Sequence, residues 1–200
     1  MSIIKHTFIR FSLAVATLAA MASCSKEVTE SKNSDNKLYL DAWLSVHYPN
    51  VKPTGLGVYI TDDKPGTGEE ISDKDYYLFL RYIATDLDGT IGSTSEEKVA
   101  QQLGTYSKSN YYGPTVVLNN SIATQVGILE MLKGMKVGGT RTAVIPGWLN
   151  VTLDGDEDYE TADDYLENET GTNVIYTITL TDKTDDIHKW EVDSLERYTA

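Results

Sequence analysis

Residues 134–146, which we call the signature segment, are the most informative part of the chain and read Gly134-Met135-Lys136-Val137-Gly138-Gly139-Thr140-Arg141-Thr142-Ala143-Val144-Ile145-Pro146. It predicts the end of a short helix, a tight turn made by paired glycines, and a strand that proline closes. Before it, Thr124 is placed to cap a helix at about residues 125–133, and Gly134 ends that helix. The apolar stripe of the helix consists of Ile128, Leu129 and Leu132.

Alternating segments on both sides of the signature segment predict β-strands. Residues 75–84 place Leu80 and Tyr82 on one face and Phe79 and Arg81 on the other. A turn cluster at 64–68 follows a shorter alternating segment, and a hairpin turn is expected at 86–90. The predicted strands occupy residues 55–61, 75–84, 114–118, 139–146 and 174–180.

The order of these elements indicates the fold class. One central helix, several alternating strands and no βαβ rhythm predict an α+β domain in which an antiparallel sheet packs on the helix. Residues 38–48 place Leu40, Trp43 and Leu44 at helical spacing before Pro49, which predicts a short amphipathic helix packed on the domain. Residues 95–103 also have helical spacing. The tail at 183–200 is polar, and its order stays open.

The signature segment resembles that of the FK506-binding-protein (FKBP) family of peptidyl-prolyl isomerases. The opening strand and its Gly66-Thr67-Gly68 turn are also similar to that family. The resemblance implies an FKBP-like domain at 55–182, a strongly twisted half-barrel sheet wrapped around a short central α-helix. Insertions are expected near 93–113 and 149–171. Because some lipoprotein members carry helical N-terminal extensions, a dimerisation helix is the alternative for the segment at 38–54.

The resemblance also implies a proline-binding pocket. Tyr82 matches the pocket tyrosine of the strand before the hairpin turn, although an ordinary core position explains it equally well. Tyr176 matches the pocket phenylalanine of the last strand, and Ile128 stands where the family places the tryptophan of the pocket floor. Trp148 lies near the loop that donates a rim tyrosine, with surface packing as the alternative. The catalytic candidates are therefore Tyr82, Ile128 and Tyr176, and the substrate-binding candidates are Val117, Gly127 and Trp148.

Two positions depart from the family pattern. Where the family has an aromatic residue followed by aspartate, this chain has Gly92 and Ser93, so a pocket wall and a carboxylate are missing. A tyrosine of the 93–113 insertion could replace the wall. The candidates for that replacement are Tyr106, Tyr111 and Tyr112.

The chemistry of such a pocket requires no cofactor and no metal. Rotation about an X-Pro bond faces a barrier of roughly 18–20 kcal/mol because the amide is planar by resonance. An enzyme lowers it by binding the twisted amide better than the planar one. Residues 154–158 have the alternating carboxylates of a calcium loop, but Tyr159 and Tyr165 stand where glycine and glutamate are required. We therefore expect a solvated acidic loop at 154–169. His47 and His188 have no further potential metal ligands at a suitable spacing, so the sequence supports no transition-metal site.

The N-terminus predicts export. Lys5 and Arg10 precede an apolar run at 11–22 that is too short to span a membrane, which is the layout of a signal peptide at 1–23. Cys24, the single cysteine, follows small residues as in a bacterial lipobox, so we expect its lipidation; an ordinary signal peptide with a chance cysteine is the alternative. Residues 24–37 read as a flexible tether. The expected location is the bacterial cell envelope, with the membrane reached through the lipid anchor.

The charge limits the partners. A formal net charge of −13 excludes nucleic-acid binding through phosphate contacts. The expected partners are proline-containing polypeptide clients, and the sequence does not define an oligomeric state. The first functional hypothesis is a peptidyl-prolyl cis-trans isomerase that assists folding of exported proteins. The alternative is a catalytically inactive FKBP-like protein-binding or chaperone module.

Overall fold

The computed structural model of the chain describes residues 31–153, 161–169 and 171–199. The predicted signal peptide, Cys24 and the first part of the tether lie outside the described residues, as does the calcium-like run at 154–158. Among the described helices, none combines the length and the apolar character needed to cross a membrane.

Six antiparallel strands form one twisted sheet, which confirms the predicted α+β class. The central strand β2 pairs with β6 along its whole length; its other edge pairs with β3 near one end and with β4 near the other. The remaining order, β1-β5-β6, completes the sheet. The strands are β1 (Tyr59–Lys64), β2 (Tyr77–Thr85), β3 (Ile91–Thr94), β4 (Thr115–Leu118), β5 (Thr140–Ile145) and β6 (Val174–Thr184).

Helices contribute to a single core with the sheet. The core combines Leu40 from the first helix, Met131 from the third, and Leu78, Ile145 and Leu180 from the strands, all at most 1% exposed. Burial of these apolar side chains is the main force that holds the helices on the sheet. The helices are α1 (Ser34–His47), α2 (Glu97–Leu103), α3 (Val126–Leu132) and α4 (Ile187–Thr199), with 3-10 turns at Gly147–Leu149 and Asp164–Glu167.

The signature segment folds as its sequence predicts. α3 ends at Leu132, and Gly134 and Gly138 adopt positive φ of 71° and 83°, which favours glycine because a Cβ would crowd the backbone. β5 then runs to Ile145, directly before Pro146. The hairpin between β2 and β3 is also confirmed, with Gly89 at φ 89°.

The start of α3 differs from the prediction. The helix begins at Val126, and Thr124 does not cap it: the Thr124 hydroxyl donates to the carbonyl of Leu118 instead. The Val126 N–H is satisfied by the carbonyl of Val151 at 2.9 Å. The predicted stripe is also shifted, because Ile128 is only half-buried whereas Val126 and Met131 are buried. Tertiary contacts, rather than a local cap, therefore fix this helix end.

The tether prediction is wrong for residues 31–37. α1 begins at Ser34, and Asn33 is fully buried, with its side-chain amide donating to the carbonyls of Leu166 and Asn168 at 2.9 Å each. Leu40 and Leu44 pack in the core, as expected for an amphipathic helix on the domain. A contact across more than 130 residues holds this segment, and no local pattern could reveal it.

Three other boundaries differ. β1 starts at Tyr59, because a turn with Gly57 at φ 101° occupies the residues before it. At the described end of the acidic loop the carboxylates are exposed, as expected, whereas Tyr165 is 3% exposed and belongs to the core. The polar tail forms the end of β6 and then α4.

Candidate functional site

Tyr82 and Tyr176 lie side by side on the core face of the sheet. They stand on neighbouring strands, in register with Ile178 and Ala84 respectively, and their ring centroids are 6.3 Å apart at a tilt of 56°. Both rings are half-buried and pack against the core. Burial raises the pKa of the Tyr176 phenol, and the neighbouring Tyr82 raises it further. The phenol of Tyr176 therefore stays neutral at physiological pH and can donate a hydrogen bond.

Helix α3 holds Ile128 and Gly127 at its first turn. Ile128 is half-buried and packs against the same core as the two tyrosines. Gly127 is buried, and a Cβ there would lie 2.3 Å from Cγ2 of Ile145 and 3.1 Å from Cβ of Leu149. Gly127, predicted to bind substrate, thus lets α3 approach β5 closely. It sets the position of Ile128 by packing.

Trp148 is a core side chain. It is 5% exposed and belongs to the buried cluster, so the surface alternative is wrong, and its role at the pocket rim stays a prediction. A backbone contact fixes the preceding residue: a Cβ on Gly147 would lie 2.0 Å from the carbonyl oxygen of Gly171. The segment after Pro146 is therefore folded inward. Val117, the other substrate-binding candidate, is half-buried on β4 in register with Leu78.

The two positions at which the sequence departs from the FKBP pattern lie at the surface. Gly92 and Ser93 are both exposed on β3. The insertion tyrosines are engaged elsewhere: Tyr106 stacks on Tyr112 with centroids 5.3 Å apart, and the Tyr112 hydroxyl accepts a hydrogen bond from the Ser107 N–H at 3.1 Å. Tyr111 lines a groove that also contains Phe79 and Arg81, on the other face of β2 from Tyr82.

A serine that the sequence analysis did not single out positions Tyr82. Ser95 is 4% exposed; its hydroxyl oxygen accepts from the Tyr82 N–H at 2.8 Å, and its own N–H donates to the Tyr82 carbonyl at 3.0 Å. Thr94 also donates its hydroxyl to that carbonyl at 3.0 Å. The pair Thr94-Ser95 reads in sequence only as the start of a helix, so its contact with β2 could not be seen.

Arg141 of the signature segment anchors the carboxyl end of α3. It is 7% exposed, and its Nη1 donates to the carbonyls of Met131 and Lys133 at 2.8 Å each. Nε and Nη2 donate to the two carboxylate oxygens of Asp63 on β1, at 3.2 and 2.9 Å. These carbonyls have no partner within the helix, so the guanidinium satisfies them and ties β1 to α3.

Glu130 fastens the other side of α3 to the chain before β1. Its side chain is 5% exposed; Oε1 accepts from the Leu56 N–H at 3.3 Å, and Oε2 lies 2.6 Å from Nζ of Lys133. Burial raises the pKa of Glu130, but hydrogen bonds from Lys133, Thr54 and Leu56 outweigh it, so the pKa lies below its ordinary value. The ionised form therefore stabilises the fold.

Replacing Glu130 with glutamine is expected to lower the free energy of unfolding at pH 7 by about 1 kcal/mol, because charge-assisted hydrogen bonds are lost. The contribution of Glu130 is complete above its unfolded pKa of about 4.3 and is lost as pH falls through the lower folded pKa. Urea unfolding from pH 7 to pH 3 measures this. The two proteins should converge at the acid end, and Glu97→Gln, at an exposed site on α2, is the control. A difference independent of pH would contradict the assignment.

No metal site is visible in the described ranges. Groups of three or more His, Cys, Asp or Glu side chains that could hold an ion are absent from them. His47 stacks on Trp43 with centroids 4.2 Å apart, and Nδ1 of His188 lies 3.8 Å from Glu191.

Comparisons with known proteins give structural matches. No protein-family model and no curated protein matches the chain. FkpA from Escherichia coli is similar over 92% of this chain and 73% of that one, at 21% identity and a TM-score of 0.49. A peptidyl-prolyl cis-trans isomerase from Pseudomonas syringae pv. tomato is similar over 78% of this chain and 98% of its own, at 19% identity and a TM-score of 0.49. AtFKBP13 is similar over 68% of this chain and 99% of its own, at 17% identity and a TM-score of 0.42. Identities of this size do not establish a shared activity.

Proposed function

We propose that this protein is a peptidyl-prolyl cis-trans isomerase of the FKBP type that assists the folding of exported proteins. One observation carries the proposal: Tyr82 and Tyr176 form a half-buried aromatic pair, 6.3 Å between centroids, on the core face of adjacent strands. The FKBP-like signature segment supports it, because it folds into the helix end, glycine turn and strand that the resemblance requires.

The chemistry fits these residues. The chain has to bind an X-Pro amide with its plane twisted, which weakens the resonance that makes the bond planar. Half-buried rings exclude water from the proline ring, and a neutral phenol can donate to an amide oxygen as it twists. Ile128 supplies an apolar floor that is smaller than an aromatic ring. No proton transfer, cofactor or metal is required.

Replacing Tyr176 or Tyr82 with alanine is expected to lower kcat/KM for X-Pro peptides about tenfold, a loss of roughly 1.4 kcal/mol of transition-state stabilisation. A protease-free isomerase assay on the purified protein measures this, with peptides varied at the residue before proline. Tyr39→Ala, at a site 60% exposed on α1, is the matched control and should keep wild-type activity. A folded protein that accelerates no X-Pro peptide would refute the proposal.

A second candidate function rests on the two positions that depart from the FKBP pattern. Gly92 and Ser93 are exposed, and Tyr106 and Tyr112 pair with each other. A fold that has lost the isomerase and binds a protein partner would have these features. Capture of a defined partner from envelope extract that persists in the Tyr82 and Tyr176 variants, together with inactivity in the assay, would favour it.

We also propose that the protein is anchored in the bacterial envelope through lipidated Cys24. The support is the sequence alone: an apolar run of signal-peptide length, small residues, then the single cysteine. Cys24→Ala is expected to move the protein from the membrane fraction to the soluble fraction, as measured by fractionation and by intact mass. An unchanged distribution would contradict lipidation.

A further inference from the structure

The outer face of the sheet, opposite the core, carries a second aromatic cluster. Phe79 alternates with the core residues Leu78 and Leu80 along β2, yet it is only 4% exposed. Trp190 of α4 covers it, with ring centroids 4.0 Å apart and an angle of 21° between the rings. The indole Nε1 donates to Oδ2 of Asp182 at 2.7 Å, which fixes the ring. The sheet therefore has a structured outer face.

A groove of about 690 Å³ lies beside this cluster, between α4 and β4. We call it the outer groove. Phe79, Trp190, Val116 and Tyr111 give it apolar walls, and Val116 is in register with Phe79, so both side chains project to the same face. Its volume falls within the range of about 300–1,000 Å³ that is common for ligand sites.

The ring of Tyr111 forms the exposed wall of the outer groove. Tyr111 is 74% exposed. Its ring lies over Gly113, where a Cβ would come within 2.6 Å of the Tyr111 hydroxyl oxygen. Gly113 has φ 155° and bears no side chain, which makes room for the ring. The groove thus has an aromatic wall whose ring lies against the backbone at Gly113.

The charges of the outer groove favour an anionic partner. Arg197 donates only to neutral oxygens, the Asp193 carbonyl at 3.2 Å and the Ser194 hydroxyl at 3.1 Å, and pairs with no carboxylate in the described part of the chain. Asp182, the acidic residue of the lining, already accepts from Trp190 and from the Lys183 N–H. Arg81 pairs with Glu96 at 3.2 Å. In a protein of net charge −13, an arginine without a carboxylate partner in an apolar groove points to a carboxylate ligand.

The wall formed by β4 favours an extended chain over a compact molecule. β4 pairs only with β2 among the described strands, and the Leu118 carbonyl at its end accepts from the Thr124 hydroxyl. The other edge of β4 is therefore open to a further strand at residues 114–117. An extended peptide can run along such an edge and place alternate side chains over the same face as Val116.

We propose that the outer groove binds an extended peptide segment in which an aromatic or large apolar residue neighbours a carboxylate. The apolar side chain lies between Tyr111 and Trp190, and the carboxylate pairs with Arg197. The site is independent of the proposed isomerase pocket, because Tyr82 projects to the opposite face of β2 from Phe79 and Arg81. The protein would then hold a polypeptide client without contacting its proline.

Indole signals in the nitrogen-15 NMR spectrum test this on the purified protein. The chain has three tryptophans, and Trp190→Phe assigns the signal of Trp190. The probe is acetyl-Glu-Phe-Glu-Val-amide, which contains no proline, and the control peptide has lysine in place of both glutamates. The acidic peptide should shift the Trp190 signal in a saturable manner, and the lysine peptide should not. No shift at millimolar peptide, or equal shifts with both peptides, would overturn the proposal.

Variants then locate the site. Arg197→Gln and Tyr111→Ala are each expected to weaken binding of the acidic peptide about tenfold, since each removes a side chain that contacts it. Lys98→Gln, an exposed charge on α2 outside the groove, is the matched control for general electrostatic attraction. Equal loss of affinity in Arg197→Gln and Lys98→Gln would show non-specific attraction and overturn the proposal. Isomerase activity measured on the same variants is expected to stay at the wild-type level, so failure of either function is distinguishable.

Discussion

Replacing Gly66 with alanine is expected to lower the free energy of unfolding by about 3 kcal/mol, the upper end of the usual cost of overpacking. A Cβ at this position would lie 2.2 Å from the Val137 carbonyl oxygen, 2.4 Å from the Gly139 nitrogen and 2.6 Å from the Lys136 carbonyl oxygen. All three atoms belong to the backbone of the signature segment. They cannot move aside as a flexible side chain could, so the turn itself has to shift.

Such a shift would break contacts nearby. The Gly68 N–H donates to the Val137 carbonyl at 3.0 Å, and the Val137 N–H donates to the Glu69 carbonyl at 2.9 Å. Urea unfolding followed by circular dichroism measures the loss as a lower midpoint at an unchanged slope. Gly92→Ala is the matched control, because its nearest neighbour to a new Cβ is 4.0 Å away. Equal stability of the two variants would mean that the turns do not pack as described.

This contact shows why the sequence predicted the local fold well. The two glycine turns, at 64–68 and in the signature segment, are each visible from glycine and proline alone. Their packing against each other follows once β1 and β5 pair in the register that joins Lys64 to Thr140. Alternation and glycine placement are local properties, and they gave the sheet, the hairpin and the end of α3 correctly.

The errors have a common cause in tertiary contacts. Surface packing is one expectation for Trp148, but its side chain is 5% exposed and packs in the core, next to the close Gly147–Gly171 contact. Residues 31–37 looked like a tether because they are polar, but Asn33 uses its polarity to bind carbonyls near residue 167. A polar composition does not distinguish a solvated segment from one whose hydrogen bonds are all made inside the protein.

The outer face of the sheet illustrates the same limit. The alternation of β2 puts Phe79 and Arg81 on the face away from the core, and sequence gives no reason to expect a cover there. Trp190 provides that cover from a segment that is polar overall. The stacking of Trp190 of α4 on Phe79 of β2 thus covers part of the outer face of the sheet and forms one wall of the outer groove. The two members of the candidate isomerase pair, by contrast, are implied by the resemblance to the FKBP family, and alternation places each of them on a predicted strand.

Arg141→Met is the second change with a large expected effect, a loss of about 3 kcal/mol in the free energy of unfolding. Methionine keeps much of the volume but leaves the Met131 and Lys133 carbonyls and the Asp63 carboxylate without their donor. Asp63 is 42% exposed and can be solvated, so most of the cost comes from the two carbonyls at the helix end. Asp63→Asn removes the counter-charge of a guanidinium that is 8% exposed but keeps one acceptor oxygen and both carbonyl contacts, so it should cost less, about 2 kcal/mol.

Arg81→Met is the control for the loss of an arginine at a partly exposed ion pair, and its free energy of unfolding is compared with that of Arg141→Met. The ion pair of Arg81 with Glu96 is 40% and 35% exposed, and such surface pairs contribute about 0–1 kcal/mol. Urea unfolding of the single variants and of Arg141→Met combined with Asp63→Asn completes the comparison. The double variant should be no less stable than Arg141→Met, because the Asp63 contact is already lost in it. If Arg141→Met is as stable as Arg81→Met, the guanidinium does not hold the end of α3.

The same contact bears on the candidate pocket, because α3 carries Ile128. If the assignment is correct, Arg141 keeps the proposed pocket floor in place without contacting a substrate.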